Sequence, residues 1–132
     1  ALGTLIPANT FSANDIMRIS SFLAEKTGTA GTVTMRIKVG TTATFGSATT
    51  IATYTTGVAE LWCIMQRMSI TLRGGNLRTL LTTSSRNTDL AATSVAISTV
   101  AFNTPSDNYI FTSLQLSVGT DSVFQSNILI TN

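Results

Sequence analysis

The sequence has no histidine and only one cysteine among its 132 residues. Without histidine, the chain cannot build the Ser-His-Asp or Cys-His arrangements of nucleophilic enzymes, nor a histidine metal site. A single cysteine allows no intrachain disulfide and no cysteine-based metal site. Cys63 lies in an apolar run, where a free cysteine typically serves as a small buried hydrophobe. We therefore expect neither a metal nor a cofactor.

Charge is also scarce, because Asp, Glu, Lys and Arg make up 11% of the chain, against about 25% in ordinary globular proteins. The net charge is only +2. Arg36 and Lys38 share one predicted strand face, but two cations are too few to follow a phosphate backbone. Nucleic-acid binding is therefore not expected. A surface so poor in charge favours a protein held in a larger assembly.

The six carboxylates do not suggest a catalytic pair. Most of them fall in predicted turns, where acidic side chains cap or are solvated: Asp15, Glu25, Glu60, Asp89, Asp107 and Asp121. Asp121, just before the last predicted strand, is the best-placed single acid, and an Asx-turn is the alternative reading. The glycines are dispersed, and none forms a phosphate-binding loop before a helix. We predict that the chain is not an enzyme.

Long apolar runs are missing as well. No stretch approaches the ~20 apolar residues of a membrane-spanning helix, so membrane insertion is not expected. The first residue is Ala1 rather than methionine, which suggests a processed protein or the end of a longer one.

The most apolar stretch, residues 61–72, contains neither glycine nor proline. We predict that it forms the long central strand of a β-sandwich. Because side chains alternate along a strand, one predicted face is apolar apart from Gln66: Trp62, Ile64, Met68, Ile70 and Leu72. The opposite face ends in Arg67, Ser69 and Thr71. This pattern predicts that Trp62 packs in the core.

The remainder of the chain reads as a series of short strands. Residues 33–39 alternate most clearly, with Val33, Met35, Ile37 and Val39 on one face. Turn signals separate the segments. Thr and Ser together number 39, and Thr favours strands because its branched Cβ packs well on a pleated surface. The pattern predicts a single all-β domain over residues 1–132, with eight to nine antiparallel strands and no helix.

Exposed aromatic side chains are the remaining candidates for ligand or receptor binding. Phe45 stands in a polar loop, and Tyr54 and Tyr109 lie on predicted strands. These three are weak candidates. For Phe45 the alternative is a plug over one end of the sandwich.

Three segments resemble bacteriophage virion proteins: residues 6–15 (Ile-Pro-Ala-Asn-Thr-Phe-Ser-Ala-Asn-Asp), residues 31–40 (Gly-Thr-Val-Thr-Met-Arg-Ile-Lys-Val-Gly) and residues 118–123 (Val-Gly-Thr-Asp-Ser-Val). Together they are similar to the C-terminal jelly-roll heads, of the TNF-like type, of tail fibres, tail spikes and head fibres. Those proteins often carry Gly-Asp where this chain has Asn14-Asp15.

The resemblance implies an antiparallel jelly-roll β-sandwich that forms a homotrimer on a virion. Such a trimer would be a fibre or spike head that contacts a host-surface glycan or protein, or a capsid decoration that contacts other virion proteins. It marks no receptor site. Two alternatives remain: a carbohydrate-binding module of a secreted enzyme, which requires a row of exposed aromatics on one sheet face, and a small jelly-roll capsid protein, which requires a basic arm.

Overall fold

The computed structural model of the chain describes residues 1–72, 75–80, 97–126 and 128–132. Ten β-strands lie in these residues, together with one short 3-10 helix at Phe45–Ser47. The strands are β1 (Leu2–Ile6), β2 (Ile16–Thr27), β3 (Val33–Gly40), β4 (Thr49–Thr55), β5 (Trp62–Leu72), β6 (Asn76–Leu80), β7 (Ile97–Ala101), β8 (Asn108–Leu116), β9 (Ser122–Gln125) and β10 (Ile130–Thr131).

The strands form two antiparallel sheets. Sheet 1 has the order β1-β8-β3-β4, and sheet 2 has the order β10-β2-β5-β6-β7. β9 also pairs with β2, at Ala24–Thr27, whereas β10 pairs with Arg18 and Ile19 of the same strand. β1, β4, β7 and the β9/β10 pair are therefore the outermost strands of the described sheets.

The core lies between the sheets and is built mainly from alternating apolar positions. In β3, Val33, Met35, Ile37 and Val39 are all buried, as their period of two predicts. A bulge in the pairing of β3 with β4 leaves both Ile51 and Ala52 buried, since one extra residue interrupts the alternation.

The connector between β1 and β2 is held by specific hydrogen bonds rather than by packing alone. Asn9 and Asn14 have φ angles of +63° and +74°, a region that asparagine tolerates better than most residues. The Ser12 amide donates to Asp15 Oδ2 at 2.7 Å, and the Ala8 amide donates to Asp107 Oδ1 at 2.9 Å. Asn14 and Asp15 thus lie in a turn, in which the Asp15 amide donates to the Ser12 carbonyl at 3.2 Å.

The structure confirms the all-β class and the two-sheet β-sandwich. The jelly-roll connectivity is not confirmed, because among the described strands β3–β4 and β5–β6 are neighbours both in sequence and within their own sheets. The predicted count of eight to nine strands is wrong, since the last predicted strand is divided into β9 and β10. The sequence pattern also predicts strands at residues 77–83 and 94–102, of which the structure shows β6 and β7. Residues 81–83 and 94–96 fall outside the described residues, and Phe102 follows β7 without belonging to a strand.

β5 is the long inner strand that the sequence predicts, but its faces are reversed. Met65, Arg67, Ser69 and Thr71 are buried, whereas Trp62 and Ile64 are exposed. At the polar end of the buried face, the Thr71 hydroxyl donates to the carbonyls of Ser12 and Asp15 in the connector. The predicted core position of Trp62 is therefore wrong. Met68, Ile70 and Leu72 have side chains outside the described ones.

Candidate interaction surfaces

Of the aromatic side chains that the structure describes, the two most exposed lie on the outer face of sheet 2. Trp62 of β5 is 66% exposed and Phe124 of β9 is 64% exposed. Both are aligned in the strand ladders with Glu25 of β2, which lies between them. Neighbouring strands are about 5 Å apart, so the three residues lie side by side across three strands.

Further exposed apolar side chains lie next to Trp62. Ile64 lies two residues along β5 from Trp62 and shares its face, and Leu61 precedes the strand; both are at least two-fifths exposed. We call Leu61, Trp62, Ile64 and Phe124 the aromatic patch. Leu61, Trp62 and Ile64 line a groove of about 590 Å³, to which Tyr54 and Glu60 also contribute. Contiguous exposed apolar surface of this kind marks interaction sites in soluble proteins.

The position of the patch follows from the register of β2 and β5. Met17 and Ile19 of β2 and Met65 of β5 are completely buried on the inner face. A shift in the pairing between Ile19 and Phe22 then sets Glu25 opposite Trp62. With the inner face fixed, period-two alternation leaves Trp62 on the outer face.

A second apolar surface lies at the edge of the sandwich, between β1 and β10. We call it the edge groove; its volume is about 350 Å³. Leu5 and Leu129 line it and are 48% and 54% exposed. Phe11 and Ile128 also line it. Arg18 lies beside it, because β10 pairs with β2 through Thr131 opposite Arg18.

The sequence-predicted binding candidates fall in two different places. Tyr54 is 6% exposed, and its hydroxyl donates to Glu60 Oε2 at 2.8 Å, which also accepts the Gly57 amide at 2.9 Å. Tyr54 thus stabilises the turn between β4 and β5. Its hydroxyl is thus engaged within the chain, and its role as a binding residue stays a prediction.

Phe45 and Tyr109 come together on the outer face of sheet 1 through Phe111, which the sequence reasoning did not single out. Phe45 packs edge-on against Phe111 with centroids 5.9 Å apart, and Tyr109 lies nearly parallel to Phe111 at 6.3 Å. Lys38 Nζ lies 4.4 Å from the Phe45 ring centroid and donates to its carbonyl oxygen at 2.9 Å. The signal for Phe111 was its spacing of two from Tyr109. We call these three rings the aromatic row.

The aromatic row is packed closely against β1. Phe111 is buried and lies opposite Gly3 in the ladder. A Cβ at Gly3 would be 2.8 Å from Phe111 Cε1, so the glycine makes room for the ring. Farther along the same face, Arg36 Nη1 donates to Gln115 Oε1 at 2.9 Å.

Asp121 forms a buried ion pair with Lys26. Lys26 Nζ lies 3.5 Å from Asp121 Oδ2, and both side chains are 2% exposed. Lys26 also donates to the carbonyls of Gly31 and Val58, and the Gly31 amide donates to Asp121 Oδ2 at 2.8 Å. The pair therefore joins the loops that precede β3, β5 and β9.

The hydrogen bond from the Gly31 amide is the main cause that lowers the pKa of Asp121. The Ala30 amide and Lys26 lower this pKa further, whereas burial acts in the opposite direction. A carboxylate with all these partners is a structural anchor rather than a group that is ready to accept a proton. Asp121 accepts backbone amides of another loop, at Gly31 and Ala30, whereas the Asx-turn alternative placed its partner within its own turn.

Within the described ranges, no three His, Cys, Asp or Glu side chains come together as a possible metal site. In the same part of the chain, no helix is long and apolar enough to cross a membrane. Comparison of the chain with protein-family models, with curated proteins and with solved structures finds no match.

Proposed function

We propose that this chain is a non-enzymatic structural protein of a bacteriophage virion that works as a homotrimer. In this role it forms the head of a fibre or spike, or a capsid decoration, on the extracellular particle. The observation that carries the proposal is the aromatic patch. A chain with 11% charged residues that also leaves Trp62 and Phe124 about two-thirds exposed has the surface of an assembly subunit.

The three segments that resemble virion proteins all have defined places in the sandwich. Residues 6–15 cross from sheet 1 to sheet 2. Residues 31–40 supply the Gly31 amide and the most regular core strand, β3, and residues 118–123 carry Asp121. The hydrogen bond from the Gly31 amide to Asp121 thus connects the second and third segments. The segments that carry the resemblance are thus parts of one connected framework rather than isolated turns, which supports the proposal.

Two measurements test the proposal. Light scattering at micromolar concentration is expected to give a native mass about three times the 13.9 kDa of one chain. An antiserum raised against the protein is expected to label phage particles from the source culture in immunogold electron microscopy. Label at fibre tips indicates host attachment, and label over the capsid indicates decoration. A monomeric mass, or particles that remain unlabelled while cells are labelled, contradicts the proposal.

A second candidate is the carbohydrate-binding module, which the aromatic row favours. Phe45 is 36% exposed and Tyr109 is partly exposed, and the Arg36–Gln115 pair adds hydrogen-bonding groups to the same face. Sugars present apolar C–H faces beside hydroxyl groups, so rings flanked by polar side chains suit them. On a glycan array, binding that is lost in a Phe45→Ala, Tyr109→Ala double variant supports this function; an array without signal contradicts it.

A further inference from the structure

We propose that the trimer, on which this inference rests, assembles head to tail, with the aromatic patch of one copy seated in the edge groove of the next. The patch lies on the outer face of sheet 2, over β9, β2 and β5. The edge groove lies between β1 and β10. Because the two surfaces are at different places on the chain, their contact is heterologous, and such contacts generate closed rings when the rotation allows it.

The charge at the centre of the patch argues against the alternative of patch against patch. Glu25 is exposed and lies in the ladder between Trp62 and Phe124. A two-fold contact through the patch would bring two Glu25 carboxylates together in a desolvated interface, where like charges repel strongly. The partner surface must therefore offer apolar walls together with a cation.

The edge groove meets both requirements. Leu5, Leu129 and Ile128 supply an apolar lining, and Arg18 is exposed on the strand that pairs with β10. The acid at this rim, Asp15, is already engaged, because Oδ2 accepts the Ser12 amide at 2.7 Å and lies 3.4 Å from Asn132 Nδ2. Arg18 is therefore the charge that is available to Glu25 of the next copy.

The size of the two surfaces suits an interface of ordinary dimensions. Aromatic side chains bury about 150–250 Å² each, so two rings that are two-thirds exposed offer roughly 200–330 Å² in all. That is about a third of the ~800 Å² that each partner buries in a standard interface. Leu61, Ile64 and the groove walls extend the contact beyond the rings.

The test uses one charged variant in each surface of the full chain. Trp62→Lys places a charge in the patch, and Leu129→Lys places a charge in the groove. Both residues are more than half exposed, so we expect the sandwich to fold in each variant. Circular dichroism checks the folding. Thr49→Lys places the same charge at an exposed position of β4 and serves as the control. By sedimentation velocity, we expect both patch and groove variants to be monomers and the control to remain a trimer.

Mixing the two variants gives the decisive result. A head-to-tail interface leaves one good contact, between the intact patch of the Leu129→Lys chain and the intact groove of the Trp62→Lys chain. An equimolar mixture at high micromolar concentration is then expected to contain a species of two chains, which neither variant forms alone. A mixture that stays monomeric, or a Leu129→Lys variant that stays trimeric, overturns the head-to-tail contact although the trimer itself stands. A wild-type monomer overturns the proposed function instead.

Discussion

Gly28 offers the sharpest test of the Lys26–Asp121 pair, because it approaches the pair without carrying a charge. Its φ angle is +92°, and an added Cβ would meet the Asp121 carboxylate, with Cγ only 2.9 Å away. The carboxylate cannot retreat without lengthening its hydrogen bond to the Gly31 amide. Left-handed backbone costs an L-residue about 1–2 kcal/mol, and the steric contact adds to this strain.

We therefore predict that Gly28→Ala lowers the free energy of unfolding by about 1–3 kcal/mol, which corresponds to a fall in Tm of roughly 3–10 °C. Urea unfolding followed by circular dichroism measures the change. Gly119→Ala is the matched control, since it lies two residues from Asp121 and its Cβ would meet nothing within 4 Å. If both variants unfold at the same urea concentration, the close packing of Gly28 on Asp121 is refuted.

Three further predictions address the register, the ion pair and the β4–β5 turn. Met65→Lys places a charge in the core and is expected to lower the free energy of unfolding by more than about 4 kcal/mol. Gln66→Lys, on the exposed face, is expected to change the free energy of unfolding by less than about 1 kcal/mol. If urea unfolding gives the reverse order, the register of β5 is contradicted. The lowered pKa of Asp121 means that its carboxylate contributes stability above the unfolded-state pKa, near 3.8, and that this contribution is lost as the pH falls through the folded-state pKa. Asp121→Asn should therefore be less stable than the wild type at pH 7 and should show a weaker loss of stability on acidification; parallel pH profiles refute this role. Tyr54→Phe removes the hydrogen bond to Glu60 and should cost about 1 kcal/mol, as thermal unfolding checks against the wild type; an unchanged Tm refutes that bond.

The strands were predictable where the alternation of apolar and polar residues matches the buried and exposed faces of the strand. β3 alternates apolar and polar residues and has one buried and one partly exposed face, so its sequence is sufficient to place it. The Asn14-Asp15 turn was predictable for a similar reason, because the side chain of Asp15 accepts the amide of Ser12 three residues earlier. In both cases the deciding interactions are local in sequence.

The faces of β5 could not be predicted in the same way. Trp62 and Ile64 look like core residues, and Ser69 and Thr71 look like surface residues. The structure buries Thr71 because its hydroxyl binds carbonyls of a connector more than 50 residues away. Apolar content alone does not reveal such a partner.

The interaction surfaces depend on the same kind of long-range information. Phe124 and Trp62 are 62 positions apart in sequence. They share one surface only because the strands that carry them both pair with β2, each opposite Glu25. Lys26 finds Asp121 through the pairing of β2 with β9. The sequence showed the aromatic and acidic residues themselves, but only strand order places them side by side.

The central claim, that the aromatic patch is buried when copies of the chain associate, can be measured without any substitution because Trp62 is the only tryptophan. Iodide quenching of its fluorescence, recorded over a dilution series from micromolar to nanomolar concentration, reports directly on its exposure. We predict that Trp62 is shielded at high concentration and becomes accessible on dilution, in step with the fall of the native mass to one chain. A trimer in which Trp62 is quenched as readily as in the monomer would contradict the account.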